Sequence, residues 1–197
     1  TCALPILHFI FALFLLSYTW WFTLELQWGE SVYLLNSRLR NQVLILLVLI
    51  FFQLAFGALM AGHKAATVAS TWPTINGMWW PIDGPVQQIS DWLNNPLLVH
   101  FVHRSLAYLL LTGILVFTYQ LYTTPLSKPL LSFRGLAAGV AGIQVLLGIL
   151  SLFASRGIIP GKWGWFEWLA QIHQLTGMAL LLILVMLLYL IRPSSAR

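Results

Sequence analysis

The chain has 197 residues, of which 59% are hydrophobic and only 8% are charged. A soluble domain keeps about 25% of its residues charged because its surface faces water; that class is excluded, and an integral membrane protein is expected. The net charge of +5 is modest, and the basic residues fall in short connections, where they report topology rather than nucleic-acid binding.

Five apolar segments are each long enough to cross about 30 Å of hydrocarbon. In chain order they run roughly Ala3–Leu26, Gln42–Gly62, Pro96–Tyr119, Phe133–Ala154 and Trp168–Ile191. The runs are continuous rather than alternating, which predicts an all-α bundle of five transmembrane helices and excludes a β-barrel. The first segment has neither a basic leader nor a small-residue cleavage site, so a spanning helix is expected there rather than a signal peptide. Cys2 is the single cysteine. It leaves no partner for a disulfide or a cysteine-based cluster within the chain, and pairing with a cysteine elsewhere stays open.

The connections after the first and third segments hold Arg38, Arg40, Lys128 and Arg134, and the tail adds Arg192 and Arg197. The opposite loops hold Lys64, Arg156 and Lys162, beside Asp83, Asp91 and Glu167. This positive-inside bias predicts an outer N-terminus and a cytoplasmic C-terminus. The loop from His63 to Asn95 carries Trp72, Trp79, Trp80 and Trp92 with Pro73, Pro81 and Pro85. It is expected either to fold over the outer end of the bundle as a lid or to lie as an aromatic belt at headgroup level. The loop Arg156–Glu167, with Trp163 and Trp165, is expected to close the same mouth.

His8, His103 and His173 each sit near the start of an apolar segment, and each has a small residue four positions on: Ala12, Ala107 and Gly177. One helical turn separates the members of each pair, so a nitrogen ligand stands beside a nearly flat strip. A porphyrin lying against a helix needs that combination, and imidazole within a bilayer is a functional candidate by default. His103 and His173 are expected as the two axial ligands of a low-spin b-type haem; the alternative is a pair of histidines joining helices by hydrogen bonds. His8 has ligand-like spacing but no partner helix. His100 is followed one turn on by Arg104, which would crowd a macrocycle, so a supporting or propionate-side position is expected for it. His63 reads as a solvated helix end. No carboxylate lies within helical reach of the three ligand-like histidines, which disfavours a non-haem metal.

Arg104 is expected to pair with a haem propionate, or else to snorkel to headgroups. Lys64, Arg156 and Lys162 are further basic residues on that side. Gln53 and Gln144 read as buried amides that join helices, and Gly57, Gly62, Gly113, Gly139, Gly142 and Gly148 as close-packing positions.

A faint internal repeat organises the chain. Leu7-His8-Phe9 matches Ile172-His173-Gln174, and Gln53-Leu-Ala-Phe-Gly57 matches Gln144-Val-Leu-Leu-Gly148. Residues 31–197 are expected to form a four-helix unit, a common frame for a haem held between facing helices. Residues 1–30 are expected to be the last helix of a preceding unit. With Thr1 at its start, the chain is expected to be a fragment or a processed protein.

These residues also carry a family resemblance. Gly57-Ala-Leu-Met-Ala-Gly62, Ser70-Thr71-Trp72-Pro73 with Asn76-Gly77, Phe101-Val-His103-Arg104-Ser-Leu-Ala107-Tyr108, Gln144-x-x-x-Gly148 and His173-Gln174 together resemble haem A synthase. That family is a bundle of eight membrane helices in two four-helix halves, and the likeness runs from about Leu4 to Arg192 over its fourth to eighth helices. The resemblance implies that His103 and His173 ligate the haem b of the C-terminal half. It implies that His8 is one of two histidines at the catalytic haem of the other half, whose partner histidine, catalytic carboxylate and loop cysteines lie on helices not in this sequence. It further implies oxidation of the haem O C8 methyl to a formyl group, giving haem A, in a bacterial plasma membrane. Haem O synthase or oxidase assembly factors are the implied partners. Two departures stand out: His100 where the family often has glutamine, and His63 in a usually apolar stretch. The rival readings are a non-catalytic b-type cytochrome subunit and a structural membrane subunit.

Overall fold

Inside hydrocarbon every backbone N–H and C=O must find its partner within the protein, so each long apolar run closes into a helix. In a computed structural model, residues 3–28, 34–81, 88 and 90–192 are described. Cys2, Asp83, Pro85 and Arg197, named above, lie outside the described residues. The helices are α1 (Ala3–Gln27), α2 (Ser37–Gly62), the short α3 (Asp91–Asn94), α4 (Pro96–Thr123), the short α5 (Lys128–Phe133), α6 (Leu136–Ala154) and α7 (Trp165–Leu190). Five of the described helices are long and apolar enough to cross a membrane.

Helix α2 starts earlier than its apolar run because Asn36 caps it, its side chain accepting from the Leu39 N–H at 3.0 Å. Arg38 and Arg40 therefore lie in the first turn rather than in a connection. Arg40 Nη1 donates to the carbonyls of Leu188 (3.3 Å) and Ile191 (2.9 Å), satisfying groups that the end of α7 leaves open. A two-residue parallel pairing of β1 (Leu34–Leu35) with β2 (Ile191–Arg192) ties the same ends together.

Contacts run from α2 to α4, α4 to α6, α6 to α7 and α7 back to α2. The result is a closed up-down-up-down ring of four helices in which α4 and α7 are diagonal partners. Helix α1 lies outside this ring, on α7 and α2. Trp20 Nε1 donates to the Leu182 carbonyl at 3.0 Å, and the Tyr189 hydroxyl donates to the Trp28 carbonyl at 2.8 Å. Trp28 and Tyr189 mark the β1–β2 end, so α1 begins at the opposite, histidine-bearing end.

Side chains fill the ring most tightly toward β1–β2. Leu39, Val43, Leu46 and Ile50 from α2 meet Ile114, Phe117 and Leu121 from α4, with Leu181, Leu184 and Leu187 from α7. Gly113 lets α2 and α4 close: a Cβ there would stand 2.8 Å from Leu46 Cδ2. Gly139 and Gly142 do not act as packing positions, because a Cβ at either would meet nothing within 4 Å. Helix α6 turns Ala137 and Ala141 into the core instead.

Candidate functional site

Because α4 and α7 are diagonal, inward-facing residues on them point at each other across the ring. His103 and His173 meet there in an edge-type arrangement, with ring centroids 6.4 Å apart and ring planes inclined by 72°. At about 2.0 Å from metal to imidazole nitrogen, two rings on opposite faces of one metal have centroids about 6 Å apart. The observed separation therefore has room for one shared metal. Among the described residues, no three His, Cys, Asp or Glu side chains gather to hold a metal ion. Two imidazoles are the kind of donor set that a bis-histidine haem uses.

Each imidazole is seated by the Gln-x-x-x-Gly repeat of a neighbouring helix. A Cβ on Gly57 would lie 3.4 Å from His103 Cε1, and one on Gly148 would lie 3.0 Å from His173 Cε1. The glycines are thus cradles for ring edges, and a methyl group would occupy space the rings now use. One turn earlier come the carboxamides. Gln53 Nε2 lies 3.3 Å from His103 Nδ1 and 3.2 Å from Nε2. An atom nearly equidistant from both nitrogens cannot lie in the ring plane, where Cε1 would block it. The amide therefore sits over the ring face and leaves the in-plane lone pair free.

His173 is held more firmly. Its Nδ1–H donates to the Gln144 main-chain carbonyl at 3.0 Å, which leaves Nε2 as the acceptor nitrogen. The Gln144 carboxamide N–H approaches that nitrogen at 3.4 Å. Gln53 Oε1 and Gln144 Oε1 are buried without a hydrogen-bond partner among the described residues. The flat strip expected below His173 is covered: a Cβ on Gly177 would meet Gln144 Nε2 at 3.0 Å and Leu54 Cδ2 at 3.3 Å. A glycine at that position lets α6 and α2 close on α7.

Above the pair, Arg104 organises the loop. Its Nε donates to His100 Nε2 at 3.0 Å, and its terminal nitrogens donate to the carbonyls of Thr74 (3.2 Å), Ala69 (3.1 Å) and Thr71 (2.7 Å). Four of the five guanidinium N–H bonds are thereby directed into the protein. From the end of α6, Ser155 Oγ donates to the Ala66 carbonyl at 3.0 Å, and Arg156 donates to the Ser70 carbonyl and hydroxyl. Asn76 and Gly77, both at positive φ, turn the chain so that Ile75 bridges Met78. Residues 65–78 thus cap the end of the ring, with Ala65, Ala69 and Ile75 buried. The indoles of Trp72, Trp79 and Trp80 are exposed, as an aromatic belt would have them.

His100 is buried and accepts from Arg104, a supporting position rather than one facing His173. His63 differs from the solvated end expected of it: half-buried, it donates through Nε2 to the Leu93 carbonyl at 2.9 Å. His8 lies on an exposed face of α1, bonded through Nδ1 to the Leu4 carbonyl, and is not brought to His103 or His173. The imidazole contacts of Gln53 and Gln144 went unread in the sequence, although the repeat itself was the signal.

A family model described as COX15-CtaA, cytochrome oxidase assembly protein, matches residues 3–186. The "Heme A synthase" of Pelagibacter ubique is 27% identical over 186 residues, covering 93% of this chain and 51% of that protein. That of Novosphingobium aromaticivorans is 30% identical over 182 residues, covering 86% and 47%. That of Bartonella quintana is 44% identical over 78 residues, covering 38% and 22%. The chain spans about half the length of the first two relatives. No solved structure matches it significantly.

Proposed function

Because the chain belongs to the COX15-CtaA, or haem A synthase, family of integral membrane proteins, we propose that it carries the haem b half of a haem A synthase. In this reading residues 31–197 hold one haem b between His103 and His173. Helix α1 closes a second half, where His8 ligates the haem at which haem O is oxidised to haem A. The observation that carries the proposal is the 6.4 Å separation of the His103 and His173 rings on diagonal helices. The position of His8 supports the second part, since it lies at the same end of the molecule on a face of α1 turned away from the ring, among Leu7, Phe11 and Leu15.

The bound haem supplies electron transfer and oxidising chemistry, and the protein supplies position and surroundings. His103 and His173 would hold the iron from diagonal helices. The Gln144 carbonyl fixes the His173 tautomer so that Nε2 is the ligating nitrogen. Arg104 pins the loop over the ligands, limiting water, and its remaining N–H is the one available to a propionate. Lys64, Arg156 and Lys162 add positive charge at that end. The positive-inside bias places it on the outer face of the plasma membrane. Haem O synthase and oxidase assembly factors are the partners this role would require.

The test is expression of the protein encoded by the whole gene in a host that makes haem O. Haem b in the purified protein and haem A in the extracted cofactor are expected. Bound haem b with haem O left unconverted would favour an electron-transfer cytochrome instead. No haem at all would overturn both readings.

A further inference from the structure

The family reading leaves the two glutamines without a role, yet they are the polar groups nearest the paired imidazoles. Gln53 and Gln144 occupy equivalent places in the two Gln-x-x-x-Gly repeats, on α2 and α6 respectively. Each carboxamide contacts the histidine whose ring edge rests on the glycine one turn on. Each also keeps a buried Oε1 with no partner. A carboxamide oxygen left unpaired among apolar helices costs free energy, so a pair of glutamines placed only to join helices would be expected to satisfy both ends. Here the N–H ends go to imidazoles instead.

We propose that Gln53 and Gln144 are positioning residues that fix the rotation of the His103 and His173 rings, and through the 72° between the ring planes set the electronic state of the iron they share. The inference rests on the haem-binding reading above. Axial imidazoles close to perpendicular give low-spin ferric haem a strongly anisotropic EPR signal, and rings closer to parallel give a more rhombic one; groups around a ligand tune both geometry and potential. His173 is also bonded to the Gln144 main-chain carbonyl, and His103 likewise interacts with the Gln53 main chain, so each carboxamide adds a second contact to a ring already held at one edge.

The experiment compares the haem-loaded whole protein with its Gln53→Leu, Gln144→Leu and Gln53→Glu variants by pyridine haemochrome, EPR and redox titration. The leucine variants are expected to keep one haem b but to show a lowered largest g value and a shifted reduction potential. Gln53→Glu, which keeps the reach but loses the N–H, is expected to change both the EPR signal and the potential. Leucine variants with full haem, unchanged EPR and unchanged potential would overturn the proposal and leave the haem reading intact. Should the leucine variants fail to load, a Gln53→Glu variant that loads haem with a changed EPR signal supports the proposal, and one with the wild-type signal or with no haem overturns it. A wild-type protein without haem b removes the haem reading and this inference with it.

Discussion

Toward β1–β2 the four-helix ring is filled by Leu39, Val43, Ile50, Ile114, Phe117, Leu181 and Leu184, all essentially buried. Toward the other end the inward positions are Gln53, Gly57, His103, Gly148 and His173, and all five are half-buried. The same four helices thus carry a packed half and a polar, loosely filled half. Stability and chemistry are separated along the helix axes. Dispersion and side-chain packing at one end, with Arg40 capping α7, hold the helices in place. That allows the other end to spend its interior on imidazoles, carboxamides and the glycines that seat them.

Breaking the polar half should erase the cofactor and leave the helices. His103→Ala or His173→Ala is expected to abolish the low-spin haem signal, whereas His100→Ala should leave most of it, as read by pyridine haemochrome and visible spectra. Equal loss in all three would dissolve the distinction between ligand and supporting histidine. Breaking the packed half should do the reverse. Leu184→Ala, at a fully buried site, is expected to cost about 2–5 kcal/mol of stability, measured by thermal unfolding in detergent, with an unchanged haem spectrum in the folded protein.

Smaller effects test the lid and the cradles. Arg104→Ala removes four hydrogen bonds and strands the buried carbonyl of Ala69. A loss on the order of 2 kcal/mol is expected, with faster hydrogen exchange over residues 69–76; protection there like that of the wild type would mean the loop holds itself. Gly148→Ala places a methyl 3.0 Å from His173 Cε1 and is expected to weaken haem retention several-fold. Gly139→Ala, in open space, should change nothing measurable. Similar behaviour of the two would show that the cradle is not needed.

How much of this could be read in the sequence follows from what each feature depends on. The five long helices were legible because hydrocarbon leaves a long apolar run little alternative. His103 and His173 were legible as candidates because a titratable ring in such a run is costly. The start of α2 was not, since Arg38 and Arg40 look like a loop until Asn36 is seen to cap and Arg40 to reach α7. Gln53 and Gln144 stood out as a repeat, but what they face depends on how each helix is rotated, and tertiary packing sets that. The same rotation decides that Ala137 and Ala141 are buried while Gly139 and Gly142 are not. Arg104 had no visible partner because its acceptors are main-chain carbonyls, which the residue types of a loop do not announce.

The claim that two imidazoles share one iron is tested most directly by near-infrared magnetic circular dichroism of the haem-loaded protein, read together with its haem-to-chain ratio. A bis-imidazole signature from the haem b of this half, lost on substitution of either His103 or His173, is the predicted result. A signature of another ligand pair, or one that survives loss of either histidine, would contradict it.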